Sequence, residues 1–197
     1  MAFVFVVYDR LCSIECNFAA PLTDPTNAPF QKDMNAWAAI SNRTYIWDYV
    51  TNFAAYVQPF PNYYVLGPNI RYYLAHGTTT TSYCVVTSTP LWRSNDGAPI
   101  LATCLQRLTL HRECVVVSKQ NTGVRGMYEE GNGHGPGSDL DAMKAFLMAE
   151  IMYDPSQDDD ALITKFLNAY YGEEVAPFVR LYMDTMHGSI ADTNYYM

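Results

Sequence analysis

The chain is short of positive charge, with 12 Lys and Arg against 20 Asp and Glu, a formal net charge of −8 and a pI near 4.8. Nucleic acid and anionic membranes are bound by basic faces, so neither is an expected partner. Long apolar runs are also lacking. The opening MAFVFVV is too short for a membrane span, lacks the basic flank of a signal peptide, and reads as a strand. With neither segment in the chain, its compartment is unassigned. Asn42-Arg43-Thr44 is a glycosylation sequon that matters only if the protein is secreted.

Cysteines are few and irregular. There are five, an odd number, and Cys12 and Cys16 would stand roughly 13 Å apart if both lay in one strand at ~3.3 Å per residue, too far to bond. A disulfide framework is not indicated. Cys104, His111 and Cys114 lack the paired spacing of a zinc site. Asp154, Ser156 and Asp158 start like a calcium loop, but Asp159 stands where glycine is needed and Lys165 where glutamate is needed. The acids read instead as caps of a following helix, and no metal is expected. The run GNGHGPG at 131–137 has no Lys-Ser/Thr to complete a phosphate loop, so no nucleotide or other cofactor is expected.

What the chain has in quantity is aromatic residues: 16 Tyr, 9 Phe and 3 Trp. Such rings pack cores or line clefts that bind sugars. A length of 197 residues suits one domain with an appendage. Its centre of organisation is VRGMYEEGNGHGPG at 124–137, an apolar run ending in two carboxylates and a glycine-rich turn. Ser138 then reads as a helix N-cap, with Asp139 and Asp141 in the first turn. TYIWDYVTN at 44–52 repeats that design of strand and polar loop.

The remaining elements follow from local chemistry. Residues 3–8 and 10–16 are rich in β-formers and read as one long or two short strands. Pro21, Pro25 and Pro29 make 17–29 a loop. A helix over 31–40 would turn Met34, Trp37, Ala38 and Ser41 inward, and another is expected from Pro68 to His76, stopping at Gly77. Helices are also expected over 140–153, with Leu140, Met143, Phe146, Leu147 and Ile151 inward, and over 161–171. A last helix over 175–187 would bury Phe178, Val179, Tyr182 and Met186. The segment 78–122 differs in composition. It holds two acids (Asp96, Glu113) against four bases (Arg93, Arg107, Arg112, Lys119), locally +2 in a chain of −8, and reads as inserted.

The motifs RLCSIECNFAAPL at 10–22, TYIWDYVTNF at 44–53, QPFPN at 58–62, GPNIRYYLAHG, GVRGMYEEG, AFLMAEIMYDP and FLNAYYG together resemble the family called domain of unknown function 4838. That family is placed by similarity in the glycoside hydrolase (TIM-barrel) superfamily, near the α-glucuronidases and hexosaminidases. The likeness covers most of the chain outside 78–122. In the family, the helix ending at His76-Gly77 leads almost directly to the strand at Val124, which agrees with an insertion there. Family members are longer, and the resemblance implies that this chain is the second half of a barrel.

The expected fold is therefore α/β, a partial (β/α)8 TIM barrel (its C-terminal half) followed by an α-helical extension. Residues 1–77 with 123–155 would form the half-barrel, 78–122 an insertion, and 156–197 the helical extension. A glycosidase uses two carboxyl groups about the scissile bond. By its match to the family motif, Glu129 is the preferred one and Asp48 the second. Trp47, Tyr49, Glu15, Tyr128, Glu130 and His134 are the residues expected to bind substrate. Alternation puts Trp47 opposite Asp48, and each of these groups also has an ordinary packing or capping role open to it. The expected ligand is a carbohydrate. Hydrolysis by this chain alone is expected to be weak or absent, and its open barrel edges invite self-association. A non-catalytic carbohydrate-binding or structural remnant is the alternative.

Overall fold

The computed structural model of the chain describes residues 9–41, 44–76, 78–84, 126–129, 137–191 and 193, with backbone alone for 9–10, 78–84 and 126–129. Four parallel strands, β1 (Asp9–Cys12), β2 (Thr44–Tyr49), β3 (Thr78–Cys84) and β4 (Gly126–Glu129), form one sheet in the order β1-β2-β3-β4. Helix α1 (Ala28–Ala38) lies between β1 and β2, and α2 (Leu66–Ala75) between β2 and β3. After β4 come α3 (Asp141–Tyr153), α4 (Asp159–Tyr171) and α5 (Ala176–Gly188). The expected α/β class is the observed one. Neighbouring parallel strands that follow one another in sequence need crossovers of one hand, which places their helices on one face.

The core records that layering. On β2, Thr44, Ile46 and Asp48 are buried while Tyr45, Trp47 and Tyr49 are half-buried. Ile46 sits in a single apolar cluster with Met34 of α1, Ile70 and Tyr73 of α2, and Met143 and Phe146 of α3. The Ile46 side of the sheet therefore faces the helices, and the Trp47 side faces away from them. β1 stops earlier than its β-propensity suggested. Beyond Cys12 the chain turns, Cys16 N–H donating to Ser13 O at 2.9 Å. The loop from 17 to 27 is then closed by Asn27, whose Oδ1 accepts from Asn17 N–H at 2.7 Å while its amide donates to the Asn17, Ala20 and Pro21 carbonyls.

Several local expectations give way to packing. The segment expected to stand apart from the core, 78–122, supplies Thr78–Cys84 as β3 between β2 and β4. Four threonines followed by Ser-Tyr-Cys form a strand because β-branched residues suit the pleat, whatever the charge of the sequence after them. Trp37 is exposed rather than inward, because α1 buries only Met34. On α5 the buried stripe is Ala176 and Met183 with Val179 packed beside it, whereas Phe178 and Tyr182 face solvent. Two apolar stripes share that helix, and periodicity alone does not say which one meets α4.

Ser138 is not the cap of α3. Leu140 occupies that position in the left-handed region at φ 49°, and the Asp141 carboxylate accepts from Ser138 N–H at 3.4 Å and Ala142 N–H at 2.7 Å. Asp158 does cap α4, accepting from Ala161 N–H at 2.8 Å. The α3–α4 turn is held from outside by Arg71. Its guanidinium donates to both Asp159 oxygens at 2.8 and 2.7 Å and to the Pro155 and Gln157 carbonyls. Among the described residues, no helix is long and apolar enough to cross a membrane.

Candidate functional site

In parallel α/β sheets the loops leaving the carboxyl ends of the strands are where ligands bind. Among the described residues those segments are 13–27 after β1 and 50–65 after β2, with 137–140 leading into α3. A half-buried row of rings runs along the first two. Tyr49, at the end of β2, meets Phe53 edge-on with centroids 6.0 Å apart, and Phe53 meets Tyr56 at 5.7 Å. Behind them, buried Phe18 contacts Tyr49 at 6.4 Å and Phe60 at 5.3 Å. The Tyr49 hydroxyl lies 3.6 Å from Cys12 Sγ at the end of β1.

The loop that carries Phe53 and Tyr56 has no regular structure, and a buried polar centre holds it in place. Lys144, on the first turns of α3, is 2 % exposed and donates to Val50 O at 3.2 Å and Phe60 O at 2.9 Å. Its ammonium also lies over the rings of Phe60 (5.4 Å) and Tyr63 (5.1 Å). Asp139 stands 3.7 Å away, beyond charge-assisted hydrogen-bond length, so the carbonyls are the closer partners. Its Oδ2 accepts from Phe60 N–H at 3.1 Å and the Tyr63 hydroxyl at 2.6 Å, and its Oδ1 from the Tyr182 hydroxyl at 3.3 Å. Asp139 N–H donates in turn to Tyr56 O at 3.1 Å.

Burial depresses the Lys144 pKa to about 8, against the pull of Asp139 and Asp141. Burial and the Asp139 carboxylate push the Tyr63 hydroxyl up. Asn62, in the same loop, is 1 % exposed with both amide atoms unpartnered. Unsatisfied buried groups are uncommon, and they concentrate at functional or strained positions.

Asp48 occupies a different environment from the ring row. It is on the helix-facing side of β2, opposite Trp47 and Tyr49, as alternation requires. It accepts from Ser13 Oγ at 2.5 Å, Tyr49 N–H at 2.9 Å and the Tyr73 hydroxyl at 3.0 Å. Desolvation raises its pKa, and these three hydrogen bonds offset only part of the rise. Glu15 does not end a strand. It lies exposed in the turn after β1. The strand register sets Glu129 beside Tyr83 and Tyr83 beside Asp48, one row across the sheet, with Tyr128 and Trp47 in the next row through Ser82. The side chains of Tyr128 and Glu129, and the whole of Glu130 and His134, lie outside the described residues, as do Cys104, His111 and Cys114. Among the described residues no three His, Cys, Asp or Glu side chains form a metal-ligand set.

The model of the family described as "Domain of unknown function (DUF4838)" matches residues 6–86 and 110–184. The chain belongs to the DUF4838 family. The match takes in all of β3, and its internal gap is 87–109, narrower than the segment that composition marked out. No curated protein and no solved structure matches the chain.

The residues that sequence reasoning missed in this DUF4838 chain are Lys144, Tyr63 and the anchoring role of Asp139. A lysine within AMKAFLM was the available signal, since a charge amid an apolar stripe must be paired or project outward.

Proposed function

We propose that the chain is the C-terminal half of a glycoside hydrolase-like (β/α)8 barrel that binds glycans at the carboxyl ends of its strands and does not hydrolyse them alone. Sequential order in an all-parallel sheet, with helices against one face, supports the barrel half. The observation that carries the binding reading is the half-buried ring row Tyr49, Phe53 and Tyr56 along the strand ends. Flat rings beside polar loops suit the apolar faces of pyranoses, and Trp47 lies two residues before Tyr49 on the same face of β2, with its backbone row running to Tyr128.

The burial of Asp48 among Ser13, Tyr49 and Tyr73 favours a binding chain over a hydrolase. A buried carboxyl already taken by three protein donors is a positioning group, which leaves Glu129, farther along the same backbone row, as the remaining candidate acid or base. One positioned carboxyl without its counterpart forfeits typically ~10²–10⁴ in rate.

The test is titration with neutral and uronic oligosaccharides, followed by intrinsic fluorescence and calorimetry, alongside a screen of aryl glycosides and uronides. Covering about 60 Å² of one ring contributes ~1.5 kcal/mol, so Phe53→Ala and Tyr56→Ala should each weaken binding about tenfold with no turnover in any sample. Absence of saturable binding by any oligosaccharide, or robust turnover that survives Glu129→Gln, would overturn the reading.

A further inference from the structure

Of the two apolar stripes on α5, packing uses one. Ala176 and Met183 are buried and Val179 lies beside them, whereas Phe178 is 71 % exposed, Leu181 62 % and Tyr182 39 %. Residues three and four apart share a helix face, so Phe178, Leu181 and Tyr182 form one surface patch. A contiguous exposed patch marks a contact surface, which singly scattered apolar residues do not.

The patch is tied to the strand-end loops. The Tyr182 hydroxyl donates to Asp139 Oδ1 at 3.3 Å, and Asp139 N–H donates to Tyr56 O at 3.1 Å. One residue thus joins the end of the row Tyr49, Phe53 and Tyr56 to the first ring of α5. Phe178 lies one turn away from Tyr182, about 6 Å along the helix at 1.5 Å per residue. His187 Nδ1 meets Pro61 O at 2.9 Å and the Tyr64 hydroxyl donates to Asp184 at 2.5 Å, which fixes α5 against the loop after β2. With its proton given to Asp139, the Tyr182 oxygen retains acceptor capacity for a hydroxyl. Rings that alternate with polar atoms along one path suit a sugar chain, whose apolar ring faces alternate with hydroxyls.

We propose that Phe178 and Tyr182 form a second glycan subsite, so that an oligosaccharide held on the ring row continues past Asp139 onto α5. The inference rests on the glycan-binding reading above and adds a length requirement: the ligand is an oligosaccharide long enough to reach from Tyr56 to Phe178.

Calorimetric titration with ladders of two to six sugars, prepared from cellulose, chitin and polygalacturonate, should show affinity rising at the length that reaches α5. Phe178→Ala and Tyr182→Ala should each weaken the longest ligand about five- to tenfold and leave the shortest unchanged. Phe53→Ala should weaken both. Tyr182→Phe keeps the ring and loses the hydroxyl, and should fall between. Ile40→Ala, at an exposed apolar residue by the opposite end of the sheet, should change neither. Magnetic resonance of ring-labelled phenylalanine gives a second readout on the unsubstituted protein: the signal missing from Phe178→Ala should shift with six sugars and stay in place with two. Long ligands that bind no more tightly than short ones, or α5 variants that bind the longest ligand normally, would overturn the proposal while the ring-row reading stands. Absence of binding by every member of the ladders overturns both. Self-association that Phe178→Ala abolishes, without any effect of ligand length, would assign the patch to a second copy of the chain and overturn the subsite.

Discussion

Replacing Lys144 with methionine tests how the ring-bearing loop is held. The substitution keeps most of the unbranched apolar stem and removes the cation that lies over the Phe60 and Tyr63 rings. It strips a hydrogen bond from the Val50 and Phe60 carbonyls and leaves Asp139 with its three neutral donors alone. Removing one partner from a buried charged centre costs about 3–5 kcal/mol. Part of that is returned, because the desolvated ammonium is itself unfavourable. The pH dependence separates the two effects.

Folding lowers the Lys144 pKa from 10.5 to about 8, so between those values the unfolded chain binds more protons than the folded one. Stability therefore rises with pH across this window. Between pH 7 and 9.5 the gain is about 2 kcal/mol, and it is absent from the Lys144→Met protein. Above pH 10 the trend reverses, because Tyr63 and Tyr182 keep their protons longer when folded. Urea unfolding followed by circular dichroism at pH 7, 8.5 and 9.5 should show a loss of about 3 kcal/mol at pH 7 that widens by about 2 at pH 9.5. Equal pH slopes in the two proteins would refute the assignment of a charged, buried Lys144.

Two further substitutions read the frame around the site. A Cβ on Gly67 would lie 2.2 Å from Asp159 Oδ2, a short side chain held by both nitrogens of the Arg71 fork, so Gly67→Ala should cost about 1–3 kcal/mol. A melting temperature equal to that of the unsubstituted protein would show that Asp159 moves freely. The raised pKa of Asp48 means that the folded state holds its proton longer, so this group's contribution falls as pH rises through its titration. Asp48→Asn should thus change stability by less than about 1 kcal/mol at pH 7, whereas Asp48→Ala, which strands Ser13 and Tyr73, should cost about 2–4. Chemical denaturation checks both, and an Asn variant as damaged as the Ala variant would show that the negative charge matters.

Features that a single segment specifies were legible in the sequence. Val, Ile and aromatic runs gave β2, the glycine-rich stop gave the place where β4 ends, and Asp158 announced the start of α4 because a cap is decided by its own three neighbours. Features settled by two distant segments were not. Ser138 has the chemistry of an N-cap, yet Asp141 answers the nearby amides, since Asp139 and Tyr56 fix the path of the chain just before the helix. Phe178 is as apolar as Val179 and Tyr182 offers a large apolar ring, and only the position of α4 decides that Ala176 and Met183 are the pair that fits.

The site divides in the same way. Trp47 and Asp48 fall on opposite faces by alternation alone, which any reader of β2 could state. Which face meets the helices depended on Ile46 finding Met34, Ile70 and Phe146, more than a hundred residues apart at the extreme. That contact turns Asp48 from a reagent into a brace. Lys144 follows from the same reasoning, because its two carbonyls belong to residues 94 and 84 positions upstream. A lone lysine in an apolar helix is costly unless something far away receives it, and here the receiver is the loop that presents the rings. The same burial that makes the lysine expensive holds that loop in place, so under the proposed glycan-binding reading the oligosaccharide titration of Lys144→Met should show weaker binding along with the lower stability.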